Sequence, residues 1–201
     1  GVVALTYPAQ GWFHWIDDHH VAAFVWSGNP SSLISPAYFT EPDRFRPVLY
    51  ILRAGIYYNL FQDHIVLWRV WFVAHNALWM TLLYAVLRRL GVGAWLAALA
   101  LPLLLFYPGS LVATYRLGTV EGMGNVFLLA AVLAMLYNRH WWAVALALLA
   151  GACKESFTLI IPAFVLWYAM RPQRKTGPLI VLVIGSAVLL AGVLRARLVS
   201  G

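Results

Sequence analysis

The stretch IVLWRVWFVAHNALWMTLLYAVLRR, running from Ile65 to Arg89, decides the fold class. Between Ile65 and Leu87 it carries a single charge, Arg69, and it stops at the pair Arg88-Arg89. A helix that crosses the hydrocarbon of a bilayer needs about 20 mostly apolar residues, and basic residues punctuate such runs on the cytoplasmic side. The stretch therefore reads as a transmembrane helix.

The same pattern continues along the chain. Val92–Tyr107 reads as a returning span, bounded by Gly91 and by Pro108-Gly109, and Val120–Tyr137 crosses again before Asn138-Arg139-His140. Trp141–Ala152 and Phe157–Met170 form a hairpin of two short arms, closed by Arg171, Arg174 and Lys175, and Pro178–Leu194 begins a further span. Towards the N-terminus, residues 10–64 are mixed and hold most of the acids, and residues 2–9 read as the tail of a helix that has lost its beginning. Composition agrees: of 201 residues, 63% are hydrophobic and only 10% charged, with a mean hydropathy of +0.78. A domain that lives in water carries about a quarter charged residues. The expectation is an all-α, polytopic membrane protein with about six to seven transmembrane helices. It reads as one domain over 1–201, truncated at both ends, with an exoplasmic loop at 10–64 carrying interfacial helices and a helix bundle at 65–194. Cys153 is the only cysteine, which excludes an intrachain disulfide, and it reads as a small buried apolar residue.

Charge orients the threading. Arg88, Arg89, Arg139, Arg171, Arg174 and Lys175 fall on one face with no acid among them, which the positive-inside rule makes cytoplasmic. Asp17, Asp18, Glu41, Asp43, Asp63, Glu121 and Glu155 fall on the other. The formal charge of +7 is thus mostly a topology signal, and no nucleic-acid footprint accompanies it. Arg195 and Arg197 fit this sorting less well, because they follow the last span on the exoplasmic side.

Orientation does not require the basic residues that remain on the exoplasmic face, Arg44, Arg46, Arg53, Arg116 and Lys154, so they are candidates for function. Arg46-Pro47-Val48 opens a helix with Pro at its first position, and that helix can lie along the interface with Tyr57 and Tyr58 at headgroup level. Asp17 and Asp18 sit in Trp12-Phe13-His14-Trp15-Ile16-Asp17-Asp18-His19-His20. A carboxylate pair kept beside a bilayer is expensive and points to function. Carboxylates and cations together on one membrane face suit the transfer of a sugar from a polyprenyl phosphate. An Asp can take the proton of the acceptor hydroxyl, and fixed Arg or Lys groups stabilise the charge that develops on the departing phosphate.

In the order of these features the chain resembles the N-terminal half of the GT-C superfamily of membrane glycosyltransferases. Asp17-Asp18 matches the acidic pair of that group's first exoplasmic loop. Arg46-Pro47-Val48 is similar to the Arg-Pro-Leu element of the transmembrane, TPR-containing protein O-mannosyltransferases and their bacterial relatives. His75-Asn76 and Lys154-Glu155 are similar to further elements of the same group. The resemblance implies an inverting glycosyltransferase that uses a dolichyl- or undecaprenyl-phosphate sugar and a protein, lipid or glycan acceptor, with or without a divalent cation. It implies Asp17 as general base with Asp18 in support, Arg46 and Lys154 as donor-phosphate contacts, and Glu121 and Glu155 as secondary acids of the pocket. Arg44 and Arg116 join the candidate substrate-binding set, and no metal ligand is assigned. The Ala/Leu/Trp/Arg-rich composition favours a bacterial inner membrane over the endoplasmic reticulum for this multi-pass protein, its site on the exoplasmic side.

Plainer readings stand beside these. Asp17-Asp18 can cap a short surface helix, and His14, His19 and His20 beside them invite a metal, although no second cluster completes its shell. His75-Asn76 reads as an interhelical hydrogen-bond pair, Lys154-Glu155 as an ion pair at a hairpin tip, and Arg53 and Arg69 as snorkelling side chains. Gly118, Gly122 and Gly124 read as close helix packing, not as a nucleotide loop. Trp12, Trp15, Trp26, Trp141 and Trp142 suit interfacial belts. The rival functions are a membrane transporter and a non-catalytic lipid-binding subunit. A transporter would place ionisable groups near the midplane and show related halves, whereas only His75-Asn76 lies deep here and no repeat is found.

Overall fold

The computed structural model describes residues 46–52, 56, 60, 61, 64–105, 120–170 and 176–200. These are all-helical, with no strand among them. The elements are α1 (Pro47–Leu52), α2 (Ile65–Arg89), α3 (Ala94–Leu105), α4 (Val120–Leu136), α5 (His140–Cys153), a 3₁₀ helix (Glu155–Ile160), α6 (Ile161–Ala169) and α7 (Thr176–Ser200).

Turn chemistry sets where two of these helices end. After α2, Gly91 takes φ 89°, the Val92 N–H donates to the Leu87 carbonyl and the Gly91 N–H to that of Arg88. After α4, Asn138 takes φ 58° and the same pair of bonds recurs, Arg139 to Ala134 and Asn138 to Met135. Both are Schellman turns, which satisfy the last carbonyls of a helix when one residue accepts the left-handed conformation; Gly and Asn do so at least cost. At the first turn the Arg88 guanidinium also donates to the Val92 carbonyl.

Contacts between the helices fix their directions. His75 lies against Gly122 and Arg89 stacks on Tyr137, so α2 and α4 run side by side in the same sense. Trp141, Leu148 and Gly151 of α5 meet Gly177, Gly185 and Leu189 of α7, so that pair is also parallel. The His140 ring packs edge-on against Tyr168, 5.0 Å between centroids, which folds α6 back antiparallel to α5. Arg88, Arg89 and Arg139 consequently gather at one end of the bundle, with the start of α7. The beginnings of α4 and of the 3₁₀ helix, and the end of α5, lie at the other. We refer to these as the arginine end and the site end.

The centre is built around α5, whose buried face is Ala143, Val144, Ala147, Ala150, Gly151, Ala152 and Cys153. Small residues let backbones approach closely, and α5 touches α1, α4, the 3₁₀ helix and α7. The main core joins Ala131 and Met135 of α4, Ile161, Phe164 and Tyr168 of α6, and Leu182 of α7.

Outside that core the helices stay apolar. Val70–Arg89 and Thr176–Arg195 are long and apolar enough to cross a membrane, and only 17% and 11% of their residues are buried. The core helix of a water-soluble protein passes the same length test but hides its apolar surface. Here Val73, Leu78, Ile184, Val188 and Leu194 face outward. The remaining apolar helices are shorter: of the expected spans, two reach full length among the described residues.

Some boundaries differ from those read in the sequence. The arm expected from Phe157 begins instead as a 3₁₀ helix at Glu155 and becomes α-helical at Ile161. The last helix does not stop at Leu194 but runs through Arg195 and Arg197 to Ser200. Arginine is a good helix former, so the end of an apolar run need not end the helix. The returning span is described as α3, which carries Pro102 in its interior.

Candidate functional site

The site end is assembled from segments far apart in sequence. Pro47 opens α1 with the fixed φ that a first helical position favours. One residue on, Val48 packs with Met123 and Phe127 of α4 against Cys153, which is completely buried. The small thiol at the end of α5 is therefore the point where α1, α4 and α5 meet, in the buried apolar role expected of it.

The chemistry-bearing residues flank this contact. Arg46 stands two residues before Val48 and is buried, at 8% exposure, and it is partnered in the fold. Lys154 directly follows Cys153. Its backbone is extended, with φ −156° and ψ 139°, and it closes α5 while opening the 3₁₀ helix. Its N–H donates to the Ala150 carbonyl and its own carbonyl accepts from Phe157. Lys154 is half-buried and also partnered. Glu155 is the first residue of the 3₁₀ helix, and Glu121 lies in the first turn of α4, two residues before Met123. The elements bearing Arg46, Glu121, Lys154 and Glu155 thus converge on one end. Asp17, Asp18, Arg44 and Arg116 lie outside the described residues, as do His14, His19, His20, Arg53, Tyr57, Tyr58 and Gly118.

Two glycines hold α4 in this arrangement, in the packing role read for them. Gly122 receives the imidazole of His75: a Cβ there would stand 2.7 Å from Nε2 and 2.9 Å from Cδ2. Gly124, two residues later, receives the ring of Phe157 from the 3₁₀ helix, at a distance that leaves no room for a Cβ. The start of α4 is therefore wedged between α2 and the segment that carries Lys154 and Glu155.

His75 and Asn76 do not form the interhelical hydrogen-bond pair read from the sequence. Each bonds within α2: His75 Nδ1 to the Trp71 carbonyl and Asn76 Nδ2 to the Phe72 carbonyl, both at 2.9 Å. In an apolar helix the nearest acceptor is the carbonyl one turn back, and short polar side chains use it. A carbonyl can only accept, so Nδ1 carries the proton in the neutral ring. Nε2 then presents a lone pair to Gly122, with no hydrogen-bond partner among the described residues. His75 is 6% exposed and sits between the rings of Trp71 and Phe72. Phe61 extends this aromatic stack, edge-on to Trp71 at 5.9 Å, and ties the stretch after α1 to α2. Sequence reasoning passed over Phe61 and Phe157, because a phenylalanine in an apolar chain carries no local signal of where it packs.

Among the described residues no group of three or more His, Cys, Asp or Glu side chains could hold a metal. The site end brings Arg46 and Lys154 to one end of the bundle, with the backbones that bear Glu121 and Glu155 beside them. The chain matches no protein-family model, no curated protein and no solved structure.

Proposed function

We propose that the chain is an integral-membrane glycosyltransferase of the GT-C type, with several further spans, that moves a sugar from a polyprenyl phosphate to an acceptor hydroxyl on the exoplasmic face. The observation that carries the reading is the packing of Val48 on Cys153. It brings the Arg46-Pro47-Val48 and Lys154-Glu155 elements, more than a hundred residues apart, to one end of the bundle. That end is opposite Arg88, Arg89 and Arg139, which in this reading face the cytoplasm of a bacterial cell.

In the proposed reaction Asp17 takes the acceptor proton as the hydroxyl oxygen attacks the anomeric carbon. The bond from that carbon to the phosphate oxygen breaks, and the polyprenyl phosphate leaves as an anion. Arg46 and Lys154 stabilise the charge it gains. Arginine has five N–H donors, so a guanidinium already engaged within the fold still has donors for a phosphate. Asp18 supports Asp17; Glu121, Glu155, Arg44 and Arg116 line the pocket.

The test is consumption of radiolabelled polyprenyl-phosphate sugars by the protein in nanodiscs, compared with Asp17→Asn and Asp18→Asn. Release of label by the wild type, lost in Asp17→Asn with the fold retained, supports the reading. A folded protein that neither binds nor consumes any donor removes it and leaves transport or a scaffolding role to be tested.

A further inference from the structure

A half-open groove of about 200 Å³ lies between α4 and α6, lined by Val132, Met135, Ala163, Phe164 and Trp167. Its walls are almost wholly apolar. An apolar cavity of ~150 Å³ stays dry and takes an apolar guest, so the groove suits a hydrocarbon better than water. A helix of a second copy, about 10 Å across with its side chains, does not enter a space of this volume, whereas the carbons of an acyl chain nearest its headgroup do.

The groove lies towards the arginine end. Met135 is one turn from Arg139, and the Schellman turn folds the Arg139 N–H back onto Ala134 at 2.8 Å. The contact of His140 with Tyr168 brings that turn to the end of α6, beside Trp167. Arg139 is exposed there, and Tyr137, Trp141 and Trp142 around it are more than half exposed. Tyrosine and tryptophan favour the headgroup level of a bilayer. No Asp or Glu occurs from 122 to 154 or from 156 to 201, so no carboxylate in either segment competes for this charge.

We propose that the groove holds the upper part of one acyl chain of an anionic glycerophospholipid whose headgroup phosphate is bound by Arg139. Basic residues at a helix-lined groove are a recurrent way to hold such headgroups. The proposal rests on the chain lying in a membrane, and it is independent of sugar transfer.

The experiment is native mass spectrometry of the detergent-released protein after exchange into an equimolar mixture of phosphatidylglycerol and phosphatidylcholine. The wild type should retain phosphatidylglycerol roughly five-fold over phosphatidylcholine, equivalent to about 1 kcal/mol for one basic residue at an anionic surface. Arg139→Gln should abolish that preference. Ala163→Trp fills the groove and should lose both lipids, as should Val132→Phe, which fills it from α4. Ala169→Trp, on α6 but not lining the groove, should behave as the wild type. Equal retention by the wild type and a folded groove-filling variant overturns the proposal, as does an equal loss in Ala169→Trp. Release of the protein from membranes by alkaline carbonate would remove the membrane reading and this proposal with it.

Discussion

Substituting Gly122 by Ala places a methyl group 2.7 Å from Nε2 of His75. Ordinary contact begins at 3.4 Å, so the two must part by about 0.7 Å. The imidazole has little freedom to yield. Its Nδ1 is tied to the Trp71 carbonyl, and the rings of Trp71 and Phe72 stand on its flanks. Overpacking of this kind costs about 1–3 kcal/mol. Against it stands the gain of replacing a helical glycine by alanine, about 0.5–1 kcal/mol, which leaves a net loss of up to roughly 2.5 kcal/mol. The assay is a double-mutant cycle read by thermal unfolding of the protein in nanodiscs. Gly122→Ala should lower the midpoint in the wild type and raise it in His75→Ala, where the obstruction is gone. Contacting residues couple by ~0.5–3 kcal/mol, so a change of sign is within reach. Equal effects of Gly122→Ala in both backgrounds would refute the assignment of Gly122 as the notch for His75.

Three further outcomes are expected. Cys153 is completely buried beneath Val48, Met123 and Phe127; a maleimide should leave it unmodified in the folded protein and label it fully in denaturing detergent. Phe72, at 1% exposure, supports the aromatic stack around His75, and Phe72→Ala should cost about 3–5 kcal/mol, seen as a lowered unfolding midpoint. Arg89 lies 4.7 Å above the Tyr137 ring where α2 and α4 end, so Tyr137→Leu should cost about 0.5–1 kcal/mol, and the loss should vanish when Arg89 is already Gln.

The local features of this fold are written in short windows. The apolar run closed by Arg88-Arg89 marks α2, and Gly91 and Asn138 mark turns where a left-handed residue ends a helix. The gathering of Arg88, Arg89 and Arg139 at one end follows from helices that reverse at each turn, so spacing alone anticipates it. Reading a charge as a helix end fails at Arg195 and Arg197, because backbone hydrogen bonding continues where apolar character stops. The pairing expected of His75 and Asn76 across helices fails for a related reason: both found acceptors one turn back in their own helix.

The sequence by itself determined the helical character of the described residues, their basic end and the residue types available for chemistry, since composition, apolar run length and turn residues act over a few positions. Only the tertiary structure decided that Val48 reaches Cys153, that His75 and Phe157 close on Gly122 and Gly124, and that α4 and α6 part to leave an apolar groove. Those contacts depend on which faces of nearly uniformly apolar helices meet. When every face is apolar, periodicity carries no instruction, and the choice falls to small residues that admit a neighbour and large ones that fill the space.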